Sequence, residues 1–75
     1  MQIEAVHLDV IGRALGVIDE GYDDLPRHRL IGVAPGAGER SRAVSELIAL
    51  GALVHHPSDP GFYRLVDARA EALLS

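Results

Sequence analysis

The chain of 75 residues contains no cysteine, lysine, threonine, asparagine or tryptophan, and its aromatics are two tyrosines and one phenylalanine. Without cysteine there is no disulfide framework, no thiolate nucleophile and no sulfur-ligated zinc. Without lysine, all seven basic residues are arginine, so every basic contact is a guanidinium able to fork onto phosphate or guanine. No apolar run approaches the roughly 18 residues that span a bilayer. No basic stretch opens Met1-Gln2-Ile3-Glu4, so neither a membrane span nor a secretory leader is expected, and the expected location is cytoplasmic. A net charge of −4 argues against indiscriminate adhesion to nucleic acid or anionic lipid. What is present is a globular composition, 48% apolar and 24% charged. One small domain over residues 1–75 is expected, stabilised by packing alone.

Residues 3 to 20 carry a helical pattern. Ile3, Val6, Val10, Ala14 and Val17 recur at spacings of three or four, widened by Ile11, Leu15 and Ile18. Gly12 and Gly16 interrupt it, at roughly 1 kcal/mol each against alanine, which predicts close approach of a neighbouring helix or a bend. Asp19-Glu20-Gly21-Tyr22-Asp23-Asp24 ends the helix, with glycine at the C-cap position. Asp24 as N-cap and Pro26 near the first helical position predict a second helix from about Leu25 to Gly32, packing through Leu25, Leu30 or Ile31. Ala34-Pro35-Gly36-Ala37-Gly38 reads as a turn. A third helix follows from about Glu39 to Leu50, apolar through Ala43, Val44, Leu47, Ile48 and Leu50, with Gly51 just past its end. The runs Ala52–His56 and Phe62–Val66 favour strands, and Pro57-Ser58-Asp59-Pro60-Gly61 between them is turn chemistry, so they predict a two-stranded β-hairpin. Asp67 starts a short closing helix through Leu74, with Leu73 and Leu74 folding back on the core.

This order of elements resembles a winged helix-turn-helix domain of the bacterial and phage regulator type, over roughly residues 5 to 67. The sharpest part is Ser41-Arg42-Ala43-Val44-Ser45-Glu46-Leu47-Ile48-Ala49-Leu50-Gly51-Ala52-Leu53-Val54, followed by Tyr63-Arg64-Leu65. It looks like a recognition helix, its glycine exit and the returning strand of the wing. The turn containing Pro35-Gly36-Ala37-Gly38 is longer than the usual three or four residues. The fold class expected is α+β: a small winged-helix-like domain of three helices, a two-stranded hairpin and a short C-terminal helix.

The resemblance implies double-stranded DNA as partner and a role as a transcription regulator or mobile-element repressor. Carried over, Arg40, Ser41, Arg42 and Ser45 would meet base edges from the start of the third helix. Arg27, His28 and Arg29 would meet backbone phosphates, and Arg64, with His55 and His56, would lie on or beside the wing. The charge distribution agrees. Residues 1–24 hold six carboxylates and one arginine, residues 25–42 four arginines and one carboxylate, and residues 43–75 two arginines and four carboxylates. The plain alternative is that these arginines solvate the surface and pair with the acidic tract. Glu39 and Glu46 on the third helix, and Asp59 at the hairpin tip, oppose DNA. A monomer with four or five phosphate contacts binds weakly, so useful affinity for DNA would need a homodimer, for which helix 1 or Ala70-Glu71-Ala72-Leu73-Leu74 offers a face, and both read equally well as core.

The acidic tract predicts a different class of function. Asp19, Glu20, Asp23 and Asp24 around Tyr22 imitate phosphate spacing and would occupy a basic groove on a protein partner, such as a defence-system complex. In size and charge, though not in any motif, the chain is similar to the phage anti-CRISPR proteins. The plain alternative is that the carboxylates solubilise a loop.

Catalysis is not expected. Gly32-Val33-Ala34-Pro35-Gly36-Ala37-Gly38-Glu39-Arg40-Ser41 approximates a P-loop, but Glu39 stands where lysine would reach the phosphates and the glycine spacing is wrong. His55 and His56 are adjacent on a strand and point to opposite faces, while His7 and His28 have no evident co-ligands, so no metal is expected. No nucleophile elbow or triad is apparent, and no cofactor is implied.

Overall fold

The computed structural model describes residues 2–74. Helix α1 (Ala5–Asp19) buries Val10, Ile11, Ala14 and Val17 along its inner stripe, and with them His7. Beyond Gly12 and Gly16 the space is open, so neither glycine accommodates a neighbouring helix within the chain. The helix ends in a Schellman motif. Gly21, at φ +100°, donates to Ile18 O and Tyr22 N–H donates to Val17 O.

The chain then departs from the helix expected at Leu25. Leu25 and Pro26 form a short strand, β1, and only Arg27–Ile31 are helical, as α2. Proline disfavours helical backbone in the residue before it, which biases Leu25 toward the extended conformation that its pairing with Tyr63 then fixes. β1 lies at a sheet edge, where the missing N–H of Pro26 is tolerated. Asp24 does not cap α2, whose N-cap is Pro26.

Helix α3 (Ala37–Ala49) starts two residues earlier than its sequence pattern, from Gly36 in a left-handed conformation. Five residues, 32 to 36, therefore separate α2 from α3. A second Schellman motif closes α3. Gly51, at φ +79°, donates to Ile48 O and Ala52 N–H donates to Leu47 O. The chain leaves directly into β2 (Leu53–His55), then β3 (Phe62–Leu65). The sheet has three antiparallel strands in the order β1-β3-β2, where two were expected. Leu25 lies opposite Tyr63, and Tyr63 opposite His55.

The domain is α+β, with four helices and this small sheet. Its core joins Val10, Ile11, Ala14 and Val17 of α1 to Leu25, Leu30, Ala43, Val44, Leu47, Ala52, Leu53 and Tyr63. The closing helix α4 (Asp67–Leu74) buries Ala70 and packs Leu73 against that core. Leu74 does not fold back as expected and is 51% exposed. Among the described residues no helix is long and apolar enough to cross a membrane.

Candidate nucleic-acid interface

Helical periodicity divides α3 into two sides. Ala43, Val44 and Leu47 face the core. Gly38, Ser41, Arg42, Ser45 and Ala49 fall on the opposite side by spacing, and of these only Ser41 is half-buried. Three of the residues expected at base edges thus share the outward side: Ser41, Arg42 and Ser45. Ser45 Oγ donates to Ser41 O at 3.4 Å.

Arg40 goes elsewhere. It stands three, four and seven residues before Ala43, Val44 and Leu47, on the inner stripe, and its side chain is only 11% exposed. Its guanidinium donates to Ile31 O, to Val33 O at 2.7 Å and to Pro35 O at 3.2 Å, and lies 3.7 Å from Asp9 Oδ2. It holds the α2–α3 turn closed instead of facing outward. The glycines of that turn make the room. A Cβ on Gly36 would stand 2.8 Å from Arg40 Nη1, and one on Gly32 would stand 2.9 Å from Arg13 Nη1 and 3.4 Å from Arg40 Nη2.

The other arginines are exposed and differ in partner. Arg29 pairs with Glu20 through both guanidinium ends. Arg64 donates to Asp24 Oδ1 at 3.1 Å and lies 3.5 Å from His56 Nε2. Arg42 donates to both oxygens of Glu46, at 2.8 and 3.0 Å, and to Glu4 Oε1 at 3.3 Å. Among the described residues Arg27 meets no carboxylate. It donates to Tyr63 Oη at 2.7 Å and to Ser41 Oγ at 2.6 Å, which ties the start of α2 to β3 and to the outward side of α3.

These pairs also sort the acidic tract. Glu20 and Asp24 are taken by Arg29 and Arg64. Asp19 and Asp23 make no ion pair among the described residues, and Tyr22 between them is 59% exposed. Asp23 and Arg64 share a surface cleft of about 340 Å³ with Ile18, Leu65 and Asp67.

Sequence reasoning missed a further cluster. His7 is fully buried between α1 and α3. Glu4 N–H donates to its Nδ1 at 2.9 Å, so the ring hydrogen sits on Nε2, which donates to Glu46 Oε1 at 2.7 Å. The signal was available in the spacing, since His7 precedes Val10, Ile11 and Ala14 by three, four and seven residues. Glu4, His7 and Glu46 each offer a ligand atom within 4.8 Å of the others. The donor chemistry does not suit a cation. A metal on Nε2 would move the ring hydrogen to Nδ1, against the Glu4 N–H. The guanidinium of Arg42 already bridges both carboxylates.

The hydrogen bond from His7, with a further one from Arg42, holds the Glu46 carboxyl below the usual glutamate range, against a smaller opposing effect of burial. The hydrogen bonds from Arg29 do the same for Glu20. A lowered carboxyl pKa stabilises the fold above the unfolded value and loses that contribution as pH falls through the folded one. Melting the parent and Glu46→Gln between pH 7 and pH 3 should therefore show the variant less stable at neutral pH, with the gap closing in acid. A gap that stays constant would remove Glu46 from the acid response. No protein-family model matches the chain, and no curated protein or solved structure matches it.

Proposed function

We propose that the chain binds double-stranded DNA as a small transcription regulator or mobile-element repressor, presenting the outward side of α3 to the major groove. The observation that carries this reading is the convergence on that side of Arg42, Ser45 and Ser41, with Arg27 hydrogen-bonded onto it through Ser41. Two features support it. The element order, with β1 ahead of α2 and paired to β3, suits a winged helix-turn-helix domain. The exposed pairs Arg29–Glu20, Arg42–Glu46 and Arg64–Asp24 contribute little in water, so each arginine exchanges its carboxylate for a phosphate or a base at small cost.

In this reading Arg42 and Ser45 meet base edges, while Arg27, Arg29 and Arg64 position the backbone. Arg40 serves the turn. Anisotropy with mixed-sequence duplex should show binding that weakens steeply between low salt and about 0.15 M. Once a preferred site has been selected, Arg42→Ala should cut the preference for that site over mixed sequence about ten- to a hundredfold. Parent chain that stays free of duplex at low salt would end this reading.

A second reading is favoured by Tyr22, exposed between two carboxylates that make no ion pair among the described residues. There the chain is an acidic, anti-CRISPR-like inhibitor that holds a basic groove on a protein of a nucleic-acid-handling complex. It requires Asp19 and Asp23 for partner binding and leaves Arg42 without effect.

A further inference from the structure

Among the described residues Arg27 is the one arginine that is both held in place and left with its charge uncompensated. Arg13, Arg29, Arg40, Arg42 and Arg64 each meet a carboxylate. Among the described residues Arg27 and Arg69 meet none, and Arg69 has no hydrogen-bond partner either. The groups that hold Arg27 are neutral hydroxyls acting as acceptors. A hydroxyl that accepts retains its own hydrogen to donate. Neither the Ser41 nor the Tyr63 hydrogen finds an acceptor among the described residues. Tyr63 is 3% exposed, its ring is clamped in the core, and its Oη therefore has a defined position. Two free O–H donors thus flank a guanidinium with further unused N–H groups.

A fixed positive charge with hydroxyl donors on either side lacks only an oxyanion. We propose that Arg27, Ser41 and Tyr63 form a seat for a phosphate oxyanion. A tetrahedral phosphate presents several oxygens in different directions and suits donors that arrive from three separate elements, α2, α3 and β3. The source that fits the surroundings is a backbone phosphodiester, because Ser41 lies on the same side of α3 as Arg42 and Ser45. That identification of the source rests on the DNA reading; the chemistry of the seat does not. Tyr63 and Ser41 thereby become positioning and binding groups for phosphate, and Arg27 its charge.

The test has two arms. In the first, mixed-sequence duplex is titrated by anisotropy at several salt concentrations. Arg27→Ala should weaken binding about tenfold on every sequence and lower the salt slope by about one. Tyr63→Phe should weaken it about three- to tenfold, with the slope unchanged, since a neutral donor is lost. Ser41→Ala removes a hydroxyl from the outward side of α3 and keeps the seat testable if Tyr63→Phe fails to fold. In the second arm, inorganic phosphate is titrated at low salt while the Arg27 Nε–H resonance is followed by NMR. A shift that saturates in the parent and vanishes in Ser41→Ala supports the seat.

The outcomes separate the two ideas. Duplex binding that is indifferent to Arg27→Ala, Ser41→Ala and Tyr63→Phe overturns the seat and leaves the DNA reading standing. No duplex binding, together with a saturable phosphate shift, keeps the seat, assigns it to free phosphate and overturns the DNA reading. Silence in both arms overturns both.

Discussion

Replacing His7 with alanine should lower the melting midpoint by roughly 15–30 °C. The substitution empties a fully buried site between α1 and α3, leaves the Glu4 N–H without its acceptor and leaves the Glu46 carboxylate with Arg42 alone. Truncating a buried side chain of this size costs about 2–5 kcal/mol, and an orphaned buried donor adds about 1–3 kcal/mol when water cannot reach it. We take about 3–5 kcal/mol as the net, because Glu4 and Glu46 reach water at their outer edges. In a domain of this size each kcal/mol moves the midpoint by about 4–8 °C. Two conservative variants separate the roles. Asparagine places an acceptor near the position of Nδ1 and should keep the start of α1 bonded while losing Glu46. Glutamine places a donor near the position of Nε2 and should do the reverse. Thermal melts followed by circular dichroism decide the matter. An alanine variant that melts within a few degrees of the parent would mean that the His7 site contributes nothing.

Arg40→Ala should cost about 2–3 kcal/mol, seen as a fall of roughly 10–20 °C in the midpoint. Three backbone carbonyls, of Ile31, Val33 and Pro35, lose a charged donor, and Asp9 loses a neighbouring charge. Water satisfies the exposed carbonyls in part, which keeps the cost below the sum of three charge-assisted bonds. Lysine recovers little, since a single ammonium does not reproduce the planar spread of donors across the turn. Under the DNA reading, site preference should be unchanged at temperatures where the variant is folded, in contrast with Arg42→Ala. If Arg40→Ala instead relaxes sequence preference while melting like the parent, Arg40 faces the ligand and not the turn.

The same two residues show where sequence reasoning falls short. Arg40 and His7 each lie on the inner stripe of a helix, three, four and seven residues from core side chains. The period was there to be read, but polarity outweighed it, because a buried arginine or histidine is acceptable only when partners wait inside. Those partners are remote or belong to the backbone: Glu46 is 39 residues from His7, and the carbonyls around Arg40 come from a turn whose path no side-chain pattern reveals. In the sequence the glycines of this segment read as turn formers or as a failed phosphate loop. Gly36 and Gly32 instead leave room for a guanidinium.

Elements whose signals are local were legible in the order of residues. The stripes of α1 and α3 come from apolar spacing, and their ends come from Gly21 and Gly51, since only glycine enters the left-handed turn of a Schellman motif without strain. The rest depended on contacts between elements. At Asp24-Leu25-Pro26 local chemistry allowed both a capped helix and an extended pair, and the pairing with Phe62 and Tyr63 chose the strand. Likewise the partners of Arg27 and Arg64 are set by which hydroxyl or carboxylate the fold brings within about 3 Å, from about forty residues away. Charges of equal sign and similar spacing in the chain therefore end in unlike places: Arg40 in a turn, Arg42 between two carboxylates, and Arg27 against two hydroxyls. Spacing along a chain constrains direction within one element, whereas distance between elements is fixed only when the core closes.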